Sequence, residues 1–437
     1  MQLFDEVSLK ITSLGKSGEG VGKLDGYTLF VEGALPGESV TARLVEQKAR
    51  YGVGKLERVN FPSPDRVTPV CPHFGVCGGC QLMHLSYSGQ LEAKRQQVID
   101  ALERIGKLTA EVLPCLPSPK ETHYRNKIQL PIQRREEGLV LGLYQRSSHQ
   151  LVPIEECAIH AELGGLVYRE IAPLIRAFQG EGLRHLLIRT SRHFEETLVI
   201  LVTKEGESSC LKALAEEILK RAPWVKGVVQ NEHAGPVNVI LGPTYRLLAG
   251  VPFIQEKIGD LLFRVSPASF FQVNPFQAEA LYAKALEWAG LEGDERVLDA
   301  YCGVGTLSLI FAPHVREVIG VESVSEAIKD AKSNAEMNGI GNARFFCARA
   351  EEFIQRQSSI DLILMNPPRK GCDPRFLEAV GKLRPKKVLY ISCDPATLAR
   401  DLKELSCLGY KTEKLQPFDM FPQTAHVETL AIASFCS

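Results

Sequence analysis

The sequence predicts a chain in three parts: a small β-barrel, a central α+β region, and a C-terminal α/β part built on a doubly wound parallel sheet. Three observations predict it. From about residue 261 onward, short apolar strands alternate with helix-like runs ("RVLDAYCG", "EVIGVES", "DLILMNPP", "KVLYISC"), the pattern of parallel strands joined by crossover helices. Residues 1–60 alternate apolar and polar positions ("VSLKITSL", "YTLFVEGAL", "ESVTARLVEQ") between glycine-rich turns such as "GKSGEGVG", which predicts the barrel. Residues 71–260 carry a cysteine-rich stretch, a helix near 88–106, and the strands "HLLIRT", "ETLVILVT" and "VKGVVQN" separated by the helix "CLKALAEEILKRA". The Pro-rich "NFPSPDRVTP" links the first two parts.

At 437 residues, with 45% hydrophobic and 24% charged residues, the chain is long enough for two or three separate cores. It has no run of eighteen apolar residues, and "MQLFDEVSLKITSLG" resembles neither a signal peptide nor a transit sequence, so a cytoplasmic location without membrane contact is expected. The formal net charge is −1, so a nucleic-acid partner has to be read from a local patch. One such patch is "TARLVEQKARYGVGKLERV" in the barrel, with five basic residues against two acidic ones and Tyr51 between them. It is compatible with an oligonucleotide-binding barrel and equally with a solvated strand face.

In "VLDAYCGVGTLSL" an apolar strand runs through Tyr301 into Gly303-x-Gly305 and a helix from Thr306, so backbone can approach a ligand at the strand's carboxyl end. The pattern suits a dinucleotide site, a methyl-donor site or a plain strand-to-helix turn. The next strand ends in Glu322, seventeen residues past Gly305, where a carboxylate can accept from ribose hydroxyls. The ending of "DLILMNPPRKG", with Asn366 before two prolines, resembles the fourth-strand motif of S-adenosylmethionine-dependent methyltransferases and separates the alternatives. Upstream, in "FFQVNP", Asn274 reads as an N-cap, Pro275 as the first helical residue, and Gln272 as a contact to the donor.

Cys393, in "YISCDPATLARDL", sits at the carboxyl end of another strand, with a helix start behind it that can lower its thiol pKa. Near the end of the chain, in "HVETLAIASF", Glu428 interrupts an apolar strand, where a carboxylate is costly unless it is paired or functional. A cysteine and a glutamate beside a methyl donor suggest methylation of a pyrimidine carbon. A thiolate adds to carbon 6 of uracil and makes carbon 5 nucleophilic; after methylation a base takes the carbon-5 proton, and the thiol leaves.

Together, "FFQVN", "DAYCGVG", "NPPRKG", "SCDPATLARD" and "HVETL" resemble the RNA 5-methyluridine methyltransferase family, in this order and over essentially the whole chain. The resemblance implies Cys393 as nucleophile and Glu428 as general base, with Gln272, Tyr301 and Glu322 in the site for S-adenosylmethionine. One position departs: the family usually has Asp where this chain has Asn366, and an amide can hydrogen-bond but cannot carry charge. The same Asn-Pro-Pro also fits methylation of an exocyclic amine on adenine or cytosine, but that chemistry wants an aromatic after the prolines and Arg369 stands there. A non-catalytic RNA-binding protein would need neither Cys393 nor Glu428.

The cysteines Cys71-x5-Cys77-x2-Cys80, with Cys157 as a fourth thiolate, suit either a [4Fe–4S] cluster or a structural zinc, with His73 or His84 as substitute ligands. The resemblance implies the iron–sulfur cluster, because the 23S ribosomal RNA branch carries one at this motif while the transfer-RNA branch lacks the cysteines and the barrel. The barrel in turn resembles a TRAM domain. The expected partner is 23S ribosomal RNA, with neither DNA nor membrane, and the default assembly is a monomer. The segment "THYRNKIQLPIQRR" interleaves Tyr124 with Arg125, Lys127, Arg134 and Arg135, a pattern able to hold phosphates while a base is splayed out, or else a solvated basic face.

Overall fold

The computed structural model describes residues 3–136, 138–204, 206, 209–235 and 240–436. The N-terminal strands close into a barrel in the order Glu6–Leu14, Gly20–Leu24, Tyr27–Glu32, Tyr51–Phe61, Ser39–Gln47, the last pairing back with the first. Closure leaves no free edge. Alternation sends Leu9, Ile11, Leu29, Val31, Val40, Ala42 and Leu44 inward. Part of the basic patch is neutralised on the barrel itself, Arg43 by Glu6 and Glu57 and Lys48 by Glu46. The linker is pinned by Arg66, which donates to the fully buried Glu38 and to the Gly33 carbonyl.

The central part holds a seven-stranded sheet in the order Thr244–Gly250, Val225–Glu232, Thr197–Thr203, Leu183–Thr190, Lys127–Arg135, Gly138–Tyr144, Leu151–Pro153. Its middle strands, Leu183–Thr190, Thr197–Thr203 and Val225–Glu232, are almost wholly buried because both faces are covered there. Leu186, Ile188, Val199 and Leu201 pack under the helices Glu162–Arg176 and Ser209–Arg221, while Leu187, Leu198, Ile200 and Val202 join the core of the C-terminal part.

The C-terminal sheet has eight strands in the order Ala343–Cys347, Glu317–Glu322, Arg296–Ala300, Leu362–Met365, Lys387–Ser392, Glu428–Phe435, Tyr410–Phe418, Glu111–Val112. The first five are parallel, as the strand and helix alternation predicts. Two features depart from a purely parallel sheet. Glu428–Phe435 is antiparallel to both of its neighbours, because residues 419–427 form a short connection with no room for a crossover helix. The outermost strand, Glu111–Val112, comes from the central part of the sequence. The helix read near 88–106 is α-helical over Tyr87–Ala101 and closes with a π turn, Leu102–Gly106. It packs against the helix Pro395–Cys407, and its Lys94 forms an ion pair with Asp419 in which both side chains are fully buried. Among the described residues no helix is long and apolar enough to cross a membrane.

Candidate active site

Sheet order fixes what can meet what. Along one edge of the C-terminal sheet, Glu322 ends one strand, Tyr301 follows the next, and Asn366 and Cys393 follow two more. The antiparallel strand contributes its first residue, Glu428, to the same edge. At about 4.8 Å between strands, Glu322 and Glu428 lie roughly 20 Å apart, a length suited to a nucleoside-sized donor followed by a base. A cavity of about 680 Å³ runs along this edge and is lined by Gln272, Tyr301, Gly303, Glu322, Asn366, Cys393 and Glu428. Gly305 and Thr306 do not line it. Gly305 is buried at φ +81°, where an added Cβ would come within 2.9 Å of the Phe345 ring, so it serves the turn and the packing behind it. Thr306 is the first residue of the helix Thr306–Phe311.

Cys393 and Glu428 are brought together by register. Ser392 pairs with Thr429, so the next step along this antiparallel pair sets Cys393 opposite Glu428, where side chains share a face. Burial pushes the Glu428 carboxyl up to about 8, with Arg369 pulling it down. Burial likewise pushes the Cys393 thiol up, Glu428 adds to this, and Arg369 opposes it. The sequence suggests a thiol lowered by the helix behind it, and the structure corrects that. The helix N-terminus is already occupied by Asp394, whose carboxylate accepts from Ala396 N (2.9 Å) and Thr397 N (3.3 Å) and pairs with Lys16 of the barrel at 2.7 Å. Burial therefore favours the protonated form of both the thiol and the carboxyl.

In the donor half, Tyr301 adopts φ +69°, a left-handed conformation that costs a bulky side chain about 1–3 kcal/mol and marks a functional turn. A Cβ at Gly303 would meet nothing within 4 Å, because that backbone faces open cavity. Oε1 of Glu322 accepts from Ser323 N (2.7 Å) and Val324 N (3.0 Å), which orients the carboxylate and leaves its other oxygen for a ligand. The Asn366 side chain makes no hydrogen bond among the described residues.

Sequence reading misses what the other elements supply. Phe270 and Phe421, to which the sequence reading gives no role, also line the cavity, and beside them stand Arg369, His426 and the Arg125 and Lys127 of the basic segment, which only the fold brings to this site. Burial, then Arg369, Lys94 and Arg125, lower the His426 pKa and keep its imidazole neutral. The loop carrying Phe421 and His426 into Glu428 is held from below. Lys94 donates to Asp419 and to the Phe421 carbonyl (3.0 Å), and Tyr124 donates its hydroxyl to the Pro422 carbonyl (3.0 Å). Gln90 brackets Gln423, donating to Oε1 at 3.0 Å and accepting from N at 2.9 Å. Tyr124, which the sequence interleaves with the basic residues of the phosphate-holding segment, is thus a core residue only 1% exposed.

Cys71, Cys77, Cys80 and Cys157 line one adjoining cavity of about 540 Å³ together with His73, and this cavity shares Arg125, Arg369, Phe421 and His426 with the catalytic one. Burial and the neighbouring thiols push Cys80 above its ordinary value, and Cys157 up to about 11. Every pair among the four is close enough for charge coupling. Among the described residues, however, no three His, Cys, Asp or Glu side chains converge tightly enough to hold one metal ion. His84 lies outside this cavity, buried against Phe74, with neither ring nitrogen hydrogen-bonded.

The family described as tRNA (uracil-5-)-methyltransferase matches residues 250–433, and the TRAM domain matches residues 2–56. An uncharacterized RNA methyltransferase of Halalkalibacterium halodurans is 44% identical, covering 98% of this chain and 96% of its own. One from Clostridium tetani is 41% identical, with the same coverage. Among solved structures, the Pyrococcus abyssi tRNA (uracil-54, C5)-methyltransferase in complex with S-adenosyl-L-homocysteine is similar, with a TM-score of 0.76 and 29% identity over 98% of this chain and 100% of that one. That breadth of match to a transfer-RNA enzyme corrects the expectation that the barrel separates ribosomal from transfer-RNA enzymes.

Proposed function

This chain belongs to the tRNA (uracil-5-)-methyltransferase family and is an S-adenosylmethionine-dependent RNA uracil-5-methyltransferase; from that premise we propose that it makes 5-methyluridine in 23S ribosomal RNA by covalent catalysis through Cys393, with Glu428 as the base. The observation that carries the mechanism is the cross-strand pairing that sets Cys393 against Glu428 at the end of the donor cavity. Tyr301, Gly303, the free oxygen of Glu322, and Gln272 hold S-adenosylmethionine, which supplies an electrophilic methyl group when bound. Asn366, midway along the sheet edge, lies between donor and base with its amide available to either.

Cys393 gives its proton to solvent and bonds to carbon 6 of the target uracil, and the electrons of the carbon 5–carbon 6 double bond shift into an enolate that makes carbon 5 nucleophilic. Transfer of the methyl group to carbon 5 leaves S-adenosylhomocysteine. Arg369, whose charge favours both the thiolate and the Glu428 carboxylate, offsets the cost of ionising them in a buried place. Once carbon 5 carries its methyl group, Glu428 takes the carbon-5 proton, the carbon–sulfur bond breaks, and the ring double bond re-forms. An amine methyltransferase needs no such pair.

The four-cysteine cavity supports a [4Fe–4S] cluster held by Cys71, Cys77, Cys80 and Cys157. The reading rests on four thiols lining one cavity, which are costly to ionise without a cationic centre. The cysteines support the ribosomal RNA reading; the likeness to the Pyrococcus abyssi tRNA (uracil-54, C5)-methyltransferase favours a second one, transfer RNA. Incubation of the protein and S-adenosylmethionine with transcripts of both RNAs, followed by mapping of 5-methyluridine, tests the proposal. Methylation of 23S transcripts alone is expected, and methylation of transfer RNA alone refutes it.

A further inference from the structure

We propose that Arg125 and Lys127 form an anion-binding wall of the catalytic cavity, which takes a backbone phosphodiester of the RNA beside the target uridine. The inference rests on the RNA methyltransferase reading and adds a subsite to it. Residues 124–127 are extended and tightly pinned. Arg125 N donates to the Ile159 carbonyl (2.9 Å), Asn126 N to the Val273 carbonyl (2.9 Å), and the Asn126 side chain to the Gln272 carbonyl (3.2 Å). Residues two apart in such a chain share a face. Arg125 and Lys127 both reach the catalytic cavity, whereas Tyr124 is turned into the core.

Among the described residues neither Arg125 nor Lys127 makes an ion pair. The one side-chain bond recorded for either runs from Arg125 Nε to the Lys127 carbonyl (3.1 Å), leaving the end of the guanidinium and the ammonium free for a ligand. Behind Lys127 lies a third cation, Arg189. It is 7% exposed, donates to the Ser269 carbonyl at 2.6 Å, and has no partner for its Nε. Burial and the two guanidiniums push Lys127 down to about 8. Glu256 lines the small cavity behind Lys127 and Arg189, and Asp330 acts on Arg189, but neither carboxylate forms an ion pair with any of the three cations. Lys127 is still repelled by both guanidiniums, and a bound anion relieves that repulsion.

Two anions could supply the charge: an RNA phosphodiester or the carboxylate of the methyl donor. Arg125 favours the first, because it also lines the cysteine cavity and so continues the wall beyond the donor site, as a strand longer than one nucleotide requires. The test measures binding of a short single-stranded oligouridylate across a range of salt concentrations, and S-adenosylmethionine binding alongside, for the unsubstituted protein, Lys127→Gln, Arg125→Gln and Lys127→Arg. Each lost phosphate contact lowers the slope of log affinity against log salt by about 0.7. The two glutamine variants are expected to lose that much each and to keep their affinity for S-adenosylmethionine, while Lys127→Arg keeps the full slope and reports that the site is folded. Unchanged slopes in both glutamine variants, or a loss confined to S-adenosylmethionine affinity, overturn the proposal. No salt-dependent RNA binding by the unsubstituted protein overturns it together with the RNA reading.

Discussion

Replacing Glu428 by glutamine removes a charge from a site only 3% exposed without changing its shape, so its effect on stability isolates the cost of ionising this carboxyl. In the folded protein the carboxyl titrates near 8, against an ordinary value of 4.5. The folded pKa is raised, so between those values the unfolded chain releases a proton that the folded chain keeps. Stability therefore falls as pH rises through that window, by about 1.4 kcal/mol per unit. At pH 7 the deficit is about 3 kcal/mol. Glu428→Gln has no such deficit. It is expected to gain about 3 kcal/mol on the native enzyme at pH 7 relative to their difference near pH 4, with most of that gain arising between about pH 5 and pH 7. Guanidinium unfolding of the two proteins, compared at several pH values, measures it. A difference that stays constant with pH would mean that the carboxyl ionises like an exposed one, and the argument for a base held protonated until its ligands arrive would fail.

Other consequences can be checked in the same way. Cys393→Ala is expected to abolish methylation while S-adenosylmethionine affinity changes little, since the thiol acts on the base; residual turnover near the native rate would point to direct methylation. Lys94→Met strands the Asp419 carboxylate where neither side chain reaches water, and a broken buried pair of this kind costs about 3–5 kcal/mol. A loss below 1 kcal/mol, read by thermal unfolding, would mean that the pair contributes little to holding the 419–426 loop. Anaerobically purified protein is expected to be brown with about four irons per chain, and to lose both on replacement of Cys80; stoichiometric zinc would refute the cluster.

Much of the donor half was legible because each part is local. A strand, a glycine turn and a helix follow one another within sixteen residues, 296–311, and Glu322 closes the next strand. The reactive half was legible as residue types but not as an arrangement. Nothing in "HVETLAIASF" says that its strand inserts antiparallel between two others, and that insertion is what sets Glu428 opposite Cys393. Long-range support was invisible for the same reason. Lys94 lies 325 residues from Asp419, and the sequence shows an ordinary basic residue on a weakly patterned helix. Gly305 and Tyr124 are the converse: motif and composition place one in the ligand turn and the other in a phosphate-holding segment, whereas Phe345 and Pro422 make them packing and support residues.

The central claim is that release, and not methyl transfer, depends on Glu428. Glu428→Gln incubated with S-adenosylmethionine and substrate RNA, then denatured, digested and analysed by mass spectrometry, tests it most directly. The account predicts the Cys393 peptide carrying a 5-methylated uridine adduct that forms only when S-adenosylmethionine is present. Free 5-methyluridine produced at the native rate, or no adduct in a variant that still binds both ligands, would contradict it.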